Sequence, residues 1–376
     1  MSDKKLAILG IVAVFMVVWA VVQSGVSNRP RTSQDTPADL IQGLNPADID
    51  SIVLGAGESA VTLKRQGKGF VVVNNDNYPA KISEINSLLS KCLEIQTVQF
   101  ITDDAANHEA LEVTEEKARS VVKFLKPDSS LLVGFAVGKD RELGQGAYIR
   151  LLPGDKVYAA QNTPWIRTRA MDYIEQELIS VKREDIESVT VSSANGEYTL
   201  KAAAGQSAEA TEDSKQIVLE NMSAGKKLKS SDSQSVFTAL TSFRFDNVKK
   251  KTGDLKFDRG FVCRLKDSTV YTVKIAQKDN KTYVSCEADF MDKAPVVMKG
   301  DQVESEEQLK QKEAKLLARD KAKEFTAKHA GWVYEIAEWK AKNMTKELSD
   351  LVEESKTEVL QKEGETVPQE KPEGTP

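Results

Sequence analysis

Ile49-Asp50-Ser51-Ile52-Val53-Leu54-Gly55-Ala56-Gly57-Glu58-Ser59-Ala60-Val61-Thr62-Leu63-Lys64-Arg65 is the stretch on which the fold turns. Read from its glycines, Gly55 to Ala60 fits the dinucleotide pattern G-x-G-x-x-A. That chemistry requires the last small residue to open a helix whose N-terminus faces a pyrophosphate. Here the residues after Ala60 alternate apolar and polar, as do those before Gly55, and period-two alternation marks strands. A hairpin around Gly55-Ala56-Gly57 is therefore expected. Farther along the chain the same pattern returns. Asp48-Ile49-Asp50-Ser51-Ile52 recurs as Asp185-Ile186-Glu187-Ser188-Val189, and Thr62-Leu63-Lys64 recurs as Thr199-Leu200-Lys201, both at an offset of 137 residues. At the place of the glycines the second occurrence carries Asn195-Gly196, a hairpin-turn dipeptide.

Working outward, each copy predicts further elements. In the first, 69–73 is a third strand, and Ile82, Ile85, Leu88, Leu89 and Cys92 at helical spacing predict a helix over 81–95. In the second, Val236, Leu240 and Phe243 predict one over 232–245. Residues 114–125 look helical by composition, but their counterpart, 261–269, reads as a strand running into a tight turn. Strands at 119–125 and 131–137, joined through Pro127-Asp128-Ser129, follow from that comparison. Strands at 147–151 and 281–286 come next. The first copy then turns at Pro153-Gly154-Asp155 and returns on 156–159. In the second copy the return strand is Trp332 to Ile336, at an offset of 176, so about 40 residues are inserted between two strands. The insertion, 303–328, is rich in Glu, Lys and Ala, with Glu306→Lys310 and Glu324→Lys328 at i,i+4. It predicts a solvated helix projecting from a hairpin, with a thin apolar seam of Leu309, Leu316, Leu317 and Phe325.

The fold class expected is α+β: two tandem repeats, each a mainly antiparallel sheet with an amphipathic helix, preceded by one transmembrane helix. The organisation is an anchor over 1–26, a polar tether over 27–37, repeat domain 1 over 38–162 and a bridging helix over 163–180. Repeat domain 2, with its inserted helix, covers 181–345, and a C-terminal helix to about Leu360 with a disordered tail covers 346–376.

From Leu6 to Val22 the chain is apolar apart from one Gly, and carried on to Val26 the stretch spans 21 residues, about 31 Å as a helix and a match to a hydrocarbon core of roughly 30 Å. A cleaved signal peptide is the rival reading, because Lys4 and Lys5 precede the run and Val22-Gln23-Ser24 permits cleavage. The run exceeds the usual h-region, which favours an uncleaved anchor. Flanking charges are nearly balanced between Lys4, Lys5 and Arg29, Arg31. The short basic N-terminus favours N-inside, a single pass through the inner (cytoplasmic) membrane, and the bulk of the chain outside the cytoplasm.

The 376 residues carry a net charge of -5 spread along their length, which gives no nucleic-acid footprint. Cys92, Cys263 and Cys286 are too few and scattered for a disulfide framework and read as buried free thiols, although Cys263 and Cys286 could pair. His108 and His329 have no Cys or His at ligand spacing. The acid-rich segment around His108 lacks the EF-hand pattern. The aromatics Tyr148, Tyr158, Trp165, Tyr283, Trp332, Tyr334 and Trp339 occupy matching places in both copies and read as core or sheet-face packing. No catalytic, cofactor-binding or metal-ligating residue is assigned from these patterns, and no cofactor is implied.

Several short segments together carry a resemblance: Asn107-His108-Glu109-Ala110-Leu111-Glu112-Val113, Gly138, Tyr148-Ile149-Arg150, Val157-Tyr158, and Ala330-Gly331-Trp332-Val333-Tyr334-Glu335-Ile336. With the single N-terminal apolar run, these resemble the bacterial "domain of unknown function 4340" family over about residues 5–345. Members are often encoded beside ABC-transporter components of the gliding-motility type. The resemblance implies a non-enzymatic, membrane-anchored accessory protein with an integral-membrane or envelope protein partner. It supplies no catalytic residues. An extracytoplasmic envelope hydrolase, and a solute- or polymer-binding module using a groove between the repeats, are the alternatives.

Overall fold

The computed structural model describes residues 37–142, 144–203, 217–292 and 305–354. The apolar run from Leu6 to Val26, most of the tether and the expected tail lie outside them. Among the described residues no helix is long and apolar enough to cross a membrane. The chain divides into two compact units at Glu175/Gln176, and each is mostly antiparallel sheet with few helices, an α+β architecture.

The first unit opens with β1 (Ala38–Asp39), β2 (Ser51–Leu54), β3 (Val61–Gln66), β4 (Gly69–Val72) and β5 (Tyr78–Pro79). It continues through α1 (Ile82–Leu93), β6 (Gln96–Thr102), β7 (Ser120–Leu125), β8 (Leu131–Asp140), β9 (Ala147–Leu152) and β10 (Val157–Gln161). Ten strands form one sheet in the order β1-β6-β10-β9-β8-β7-β2-β3-β4-β5. The hairpin expected at the glycines is present, with Leu54 opposite Val61 and Ile52 opposite Leu63. Gly55 and Gly57 have φ of 90° and 67°, left-handed backbone that glycine enters without steric cost. Ala60 leads into β3, so no helix N-terminus faces this turn and the dinucleotide geometry is absent. On one sheet face Ile52, Leu54, Leu63, Phe124 and Phe135 are fully buried, each contributing about 1.5–3 kcal/mol by removal from water. Ile85, Leu88 and Cys92 of α1 are buried as well.

The second unit runs through β11 (Glu177–Ile179), β12 (Ile186–Ser193), β13 (Gly196–Ala202), β14 (Ile217–Leu219), β15 (Lys226–Leu228), α2 (Ser230–Phe237), β16 (Phe243–Arg244) and β17 (Asn247–Lys250). Then come β18 (Arg259–Leu265), β19 (Thr269–Lys278), β20 (Lys281–Phe290), α3 (Glu306–His329), β21 (Trp332–Ile336), α4 (Glu338–Met344), α5 (Leu348–Leu351) and β22 (Val352–Glu354). Its main sheet, read from β17, has the order β17-β21-β20-β19-β18-β12-β13-β14. The inner eight strands of the first sheet, β6-β10-β9-β8-β7-β2-β3-β4, follow the same connectivity. The pair Ile52–Leu63 finds its 137-residue counterpart in Val189–Leu200, also directly opposed. The turns agree too. Asp128 accepts from the Ser130 amide around Ser129 at φ 65°, and Asp267 accepts from the Thr269 amide around Ser268 at φ 73°.

Four expectations are corrected. Residues 163–180 form no bridging helix: they hold a 3-10 turn, Ala170–Tyr173, and the short strand β11. Ile166, Tyr173, Ile174 and Leu178 are nonetheless buried, and Tyr173 donates from Oη to the Arg167 carbonyl and accepts at its own carbonyl from the Lys81 amide. The C-terminal helix to Leu360 breaks into α4 and α5 and ends at β22, paired with β15; Glu347, capping α5 with Asp350, marks the break. Helix α2 stops at Phe237 and Phe243 already lies in β16, so 232–245 is not one helix. The inserted helix does not simply project. Its first six residues are exposed and its start is capped by Ser305 and Gln308, but Ala318 and Ala322 pack on Ala288 and Phe290. Thr326 also exchanges hydrogen bonds with the Ala288 backbone, both 2.7 Å.

Candidate functional site

At one end of the first sheet lies an open cleft of about 490 Å³, lined by Asp48, Asp50, Arg65, Lys126, Pro127 and Leu132 among others. Asn45 caps the 3-10 turn Pro46–Asp48 that forms one wall, accepting from the Ala47 amide. Arg65, at the end of β3, brackets that wall. Its Nε donates to the Ile49 carbonyl and its Nη2 to the Pro46 carbonyl, both at 2.7 Å, and its guanidinium lies 4.7 Å from the Phe70 ring centre. The guanidinium is thus spent on the fold. The other charged residues of the lining are Asp48, Lys126 and Asp50, whose Oδ2 accepts from Ser51 Oγ at 2.8 Å. The cleft therefore offers charge of both signs to a ligand. At the 137-residue offset Arg65 corresponds to Ala202, and the bracket belongs to the first unit alone.

The Asn107–Val113 segment, singled out in the sequence, is a clasp. Thr102 and Asp104 hold its start, Asp104 capping the 3-10 turn Ala105–Asn107. His108 is buried at 4% exposure. Its Nδ1 lies 3.1 Å from Arg150 Nη1 and its Nε2 lies 2.9 Å from the Asp155 carbonyl. Arginine only donates, so Nδ1 accepts and Nε2 carries the proton. Val113 is fully buried, with its amide on the His108 carbonyl. Leu111 passes so close to β8 that a Cβ on Gly138 would stand 2.2 Å from its carbonyl. Both ring nitrogens of His108 are engaged in holding this loop to the sheet.

His329, at the end of α3, is also buried, with Nδ1 2.5 Å from the hydroxyl of the fully buried Tyr334. Burial, and secondarily the neighbouring Lys328 ammonium, lowers its pKa from 6.5 to about 4. All three cysteines are buried free thiols, so Cys263 and Cys286, on strands separated by β19, do not pair. Burial pushes Cys92 and Cys263 up to about 12 and raises Cys286 as well. Among the described residues no three His, Cys, Asp or Glu side chains converge as a metal site.

The aromatics do not all pack as the sequence suggests. Tyr334 and Tyr283 are buried, while Trp165 is 79% and Trp339 63% exposed. Trp165 lies beside Glu84, Lys91 and Arg167, and Trp339 within 5.3 Å of the Lys340 ammonium. Strand β6, which the sequence pattern does not predict, places an exposed Phe100 beside the half-buried Tyr158. Phe100 is 45% exposed and meets Tyr158 edge-on, with centroids 5.8 Å apart at 75°. The alternation of Val98 and Phe100 amid threonines was the available signal.

The family described as domain of unknown function (DUF4340) matches residues 71–260, half of the chain. The match contains the clasp, Gly138, the Tyr148-Ile149-Arg150 strand and Val157-Tyr158. No curated protein and no solved structure matches the chain.

Proposed function

The chain belongs to the DUF4340 family, and on that premise we propose that it is a membrane-anchored, non-catalytic accessory protein built from two copies of one sheet unit. The anchor is the apolar run from Leu6 to Val26, with the bulk of the chain on the outer side of the cytoplasmic membrane. The partner is an integral-membrane or envelope component of an ABC-type transport or gliding-type complex. The observation that carries this reading is the use to which the motif residues are put. His108, Gly138 and Arg150 are consumed in fastening a loop across a sheet, which supports a scaffold rather than a reacting centre. The identical strand connectivity and the Ile52–Leu63 and Val189–Leu200 pairs support duplication. The experiment is mild-detergent extraction of the full chain beside a chain lacking residues 1–28. Co-purification of an integral-membrane partner with the first only is the expected result, and recovery of the full chain as a free monomer overturns it.

A second reading, a solute-binding module, draws on the cleft at Asp48, Asp50 and Lys126. It requires a small zwitterionic ligand, such as an amino acid, to raise the thermal midpoint of the full chain and Lys126→Ala to abolish that shift.

A further inference from the structure

We propose that the Phe100–Tyr158 pair rests on the lipid surface, at the headgroup level of the membrane that holds the anchor; this rests on the anchored reading above. Four observations lead there. First, β1 pairs with β6 only at Ala38–Thr97 and Asp39–Gln96, so the chain from the apolar run enters the unit at this corner of the sheet. Phe100 lies three residues farther along β6, roughly 10 Å at strand rise. The eleven residues 27–37 can span at most about 40 Å, which keeps the corner within reach of the headgroups.

Second, β6 has no charged side chain in Gln96–Thr102. Its counterpart edge strand β17 carries Lys249 and Lys250 and is followed by Lys251, the usual protection of an edge facing water. Third, the counterpart of Tyr158 is Tyr334: Tyr158 opposes Ile149 in β9, and Tyr334 opposes Val284 in β20. Tyr334 is fully buried, capped by His329 of α3 and lying 4.7 Å from the Phe245 ring. The second unit covers this position with its own inserted helix. The first unit joins β9 to β10 by a short turn, and Phe100 stays exposed. Fourth, Phe with Tyr is the pairing of apolar body and polar tip that suits a membrane–water interface. The exposed Trp165 and Trp339 sit among charged side chains instead and do not share this setting. Asp103 and Asp104 follow β6 directly, so the contact suits zwitterionic lipid and gains nothing from anionic lipid.

The test uses the full chain in phosphatidylcholine bilayers containing a nitroxide-labelled lipid. A fluorophore is placed on Gln99→Cys, because the native thiols are buried, and on Glu197→Cys as the control in the second unit. The proposal expects a blue-shifted, lipid-quenched signal at 99, none at 197, and loss of quenching in Phe100→Ser/Tyr158→Ser. Replacing part of the phosphatidylcholine by phosphatidylglycerol leaves the quenching equal or weaker. If the chain is in the bilayer but the label at 99 is unquenched, or the double substitution leaves quenching intact, the lipid contact is overturned and the anchored reading stands. If the full chain does not partition into the bilayer at all, both fall. The label at 99 in the otherwise unaltered chain decides the matter even if the double variant folds poorly.

Discussion

Arg150 donates from Nη1 to His108 Nδ1 across 3.1 Å, and the opposite ring nitrogen donates to the Asp155 carbonyl. One imidazole therefore ties the loop after β6, the centre of β9 and the β9–β10 turn together. Arg150 Nε is buried without a hydrogen-bond partner among the described residues, which leaves the arginine dependent on this histidine. His108→Ala is expected to destabilise the first unit by about 1–3 kcal/mol, the cost of leaving buried polar groups unsatisfied. Urea unfolding measures it. Nitrogen-15 spectra of the native ring are expected to show the proton on Nε2.

Gly138→Ala is expected to be among the most damaging single-methyl changes in the chain. The new Cβ would stand 2.2 Å from the Leu111 carbonyl and 2.8 Å from Val113, so backbone must move, at about 1–3 kcal/mol or more. Gly69→Ala is the control, since nothing lies within 4 Å of its Cβ position. Equal thermal midpoints for the two variants would contradict the clasp.

His329 gives the second unit a pH dependence. Its folded pKa is near 4, against 6.5 ordinarily. Above 6.5 both states are neutral and it contributes no slope. Between 6.5 and 4 the unfolded chain binds the proton and the folded chain does not, so stability falls as pH falls, by up to about 3 kcal/mol. Below 4 the loss levels off. His329→Gln should flatten this part of the stability profile, measured by denaturant unfolding from pH 7.5 to 4.

Arg65→Lys should not rescue what Arg65→Ala loses. Two carbonyls, of Ile49 and Pro46, are bridged by one planar guanidinium lying against Phe70, and an ammonium cannot reproduce that fork. Each variant is expected to lose about 1–3 kcal/mol and to raise hydrogen exchange at the Asp48 and Ile49 amides. Protection equal to the parent in the lysine variant would argue against the bracket.

Cys92, Cys263 and Cys286 should resist maleimide in the folded chain at pH 7.5 and react together on unfolding. Burial raises all three thiols, and the thiolate is the reacting species. Rapid native labelling of any one would show local opening at its strand or helix.

Legibility followed the range of the forces. The hairpin at Leu54–Val61 and the turns at Ser129 and Ser268 were readable, because alternation and turn chemistry are properties of neighbouring residues. Of the cleft, Asp48 and Asp50 stood in a recurring motif, but nothing local announced that Arg65 would reach back to Pro46. The segment around Ile166, Tyr173 and Leu178 has helical spacing, yet these residues are buried without an α-helix, Tyr173 from a 3-10 turn and Leu178 from β11. Spacing records that residues are buried, not by what. Strand β6 is not legible locally, because its Gln, Thr and Phe make a weak alternation and the strand is held by its pairing with β10 and β1.

From the sequence alone came the repeated hairpins, the strand character of 119–125, the inserted helix and the family resemblance. All rest on local periodicity or on matching segments at a set offset. Tertiary structure decided which surfaces those elements cover. Ala318 and Ala322 lie on β20, Tyr334 is sealed beneath His329, and Phe100 is open beside Tyr158. Burial is a property of the partner a residue finds across the fold. Two tyrosines in matching places on matching strands thus differ, Tyr158 half-buried and Tyr334 fully buried beneath the end of a helix.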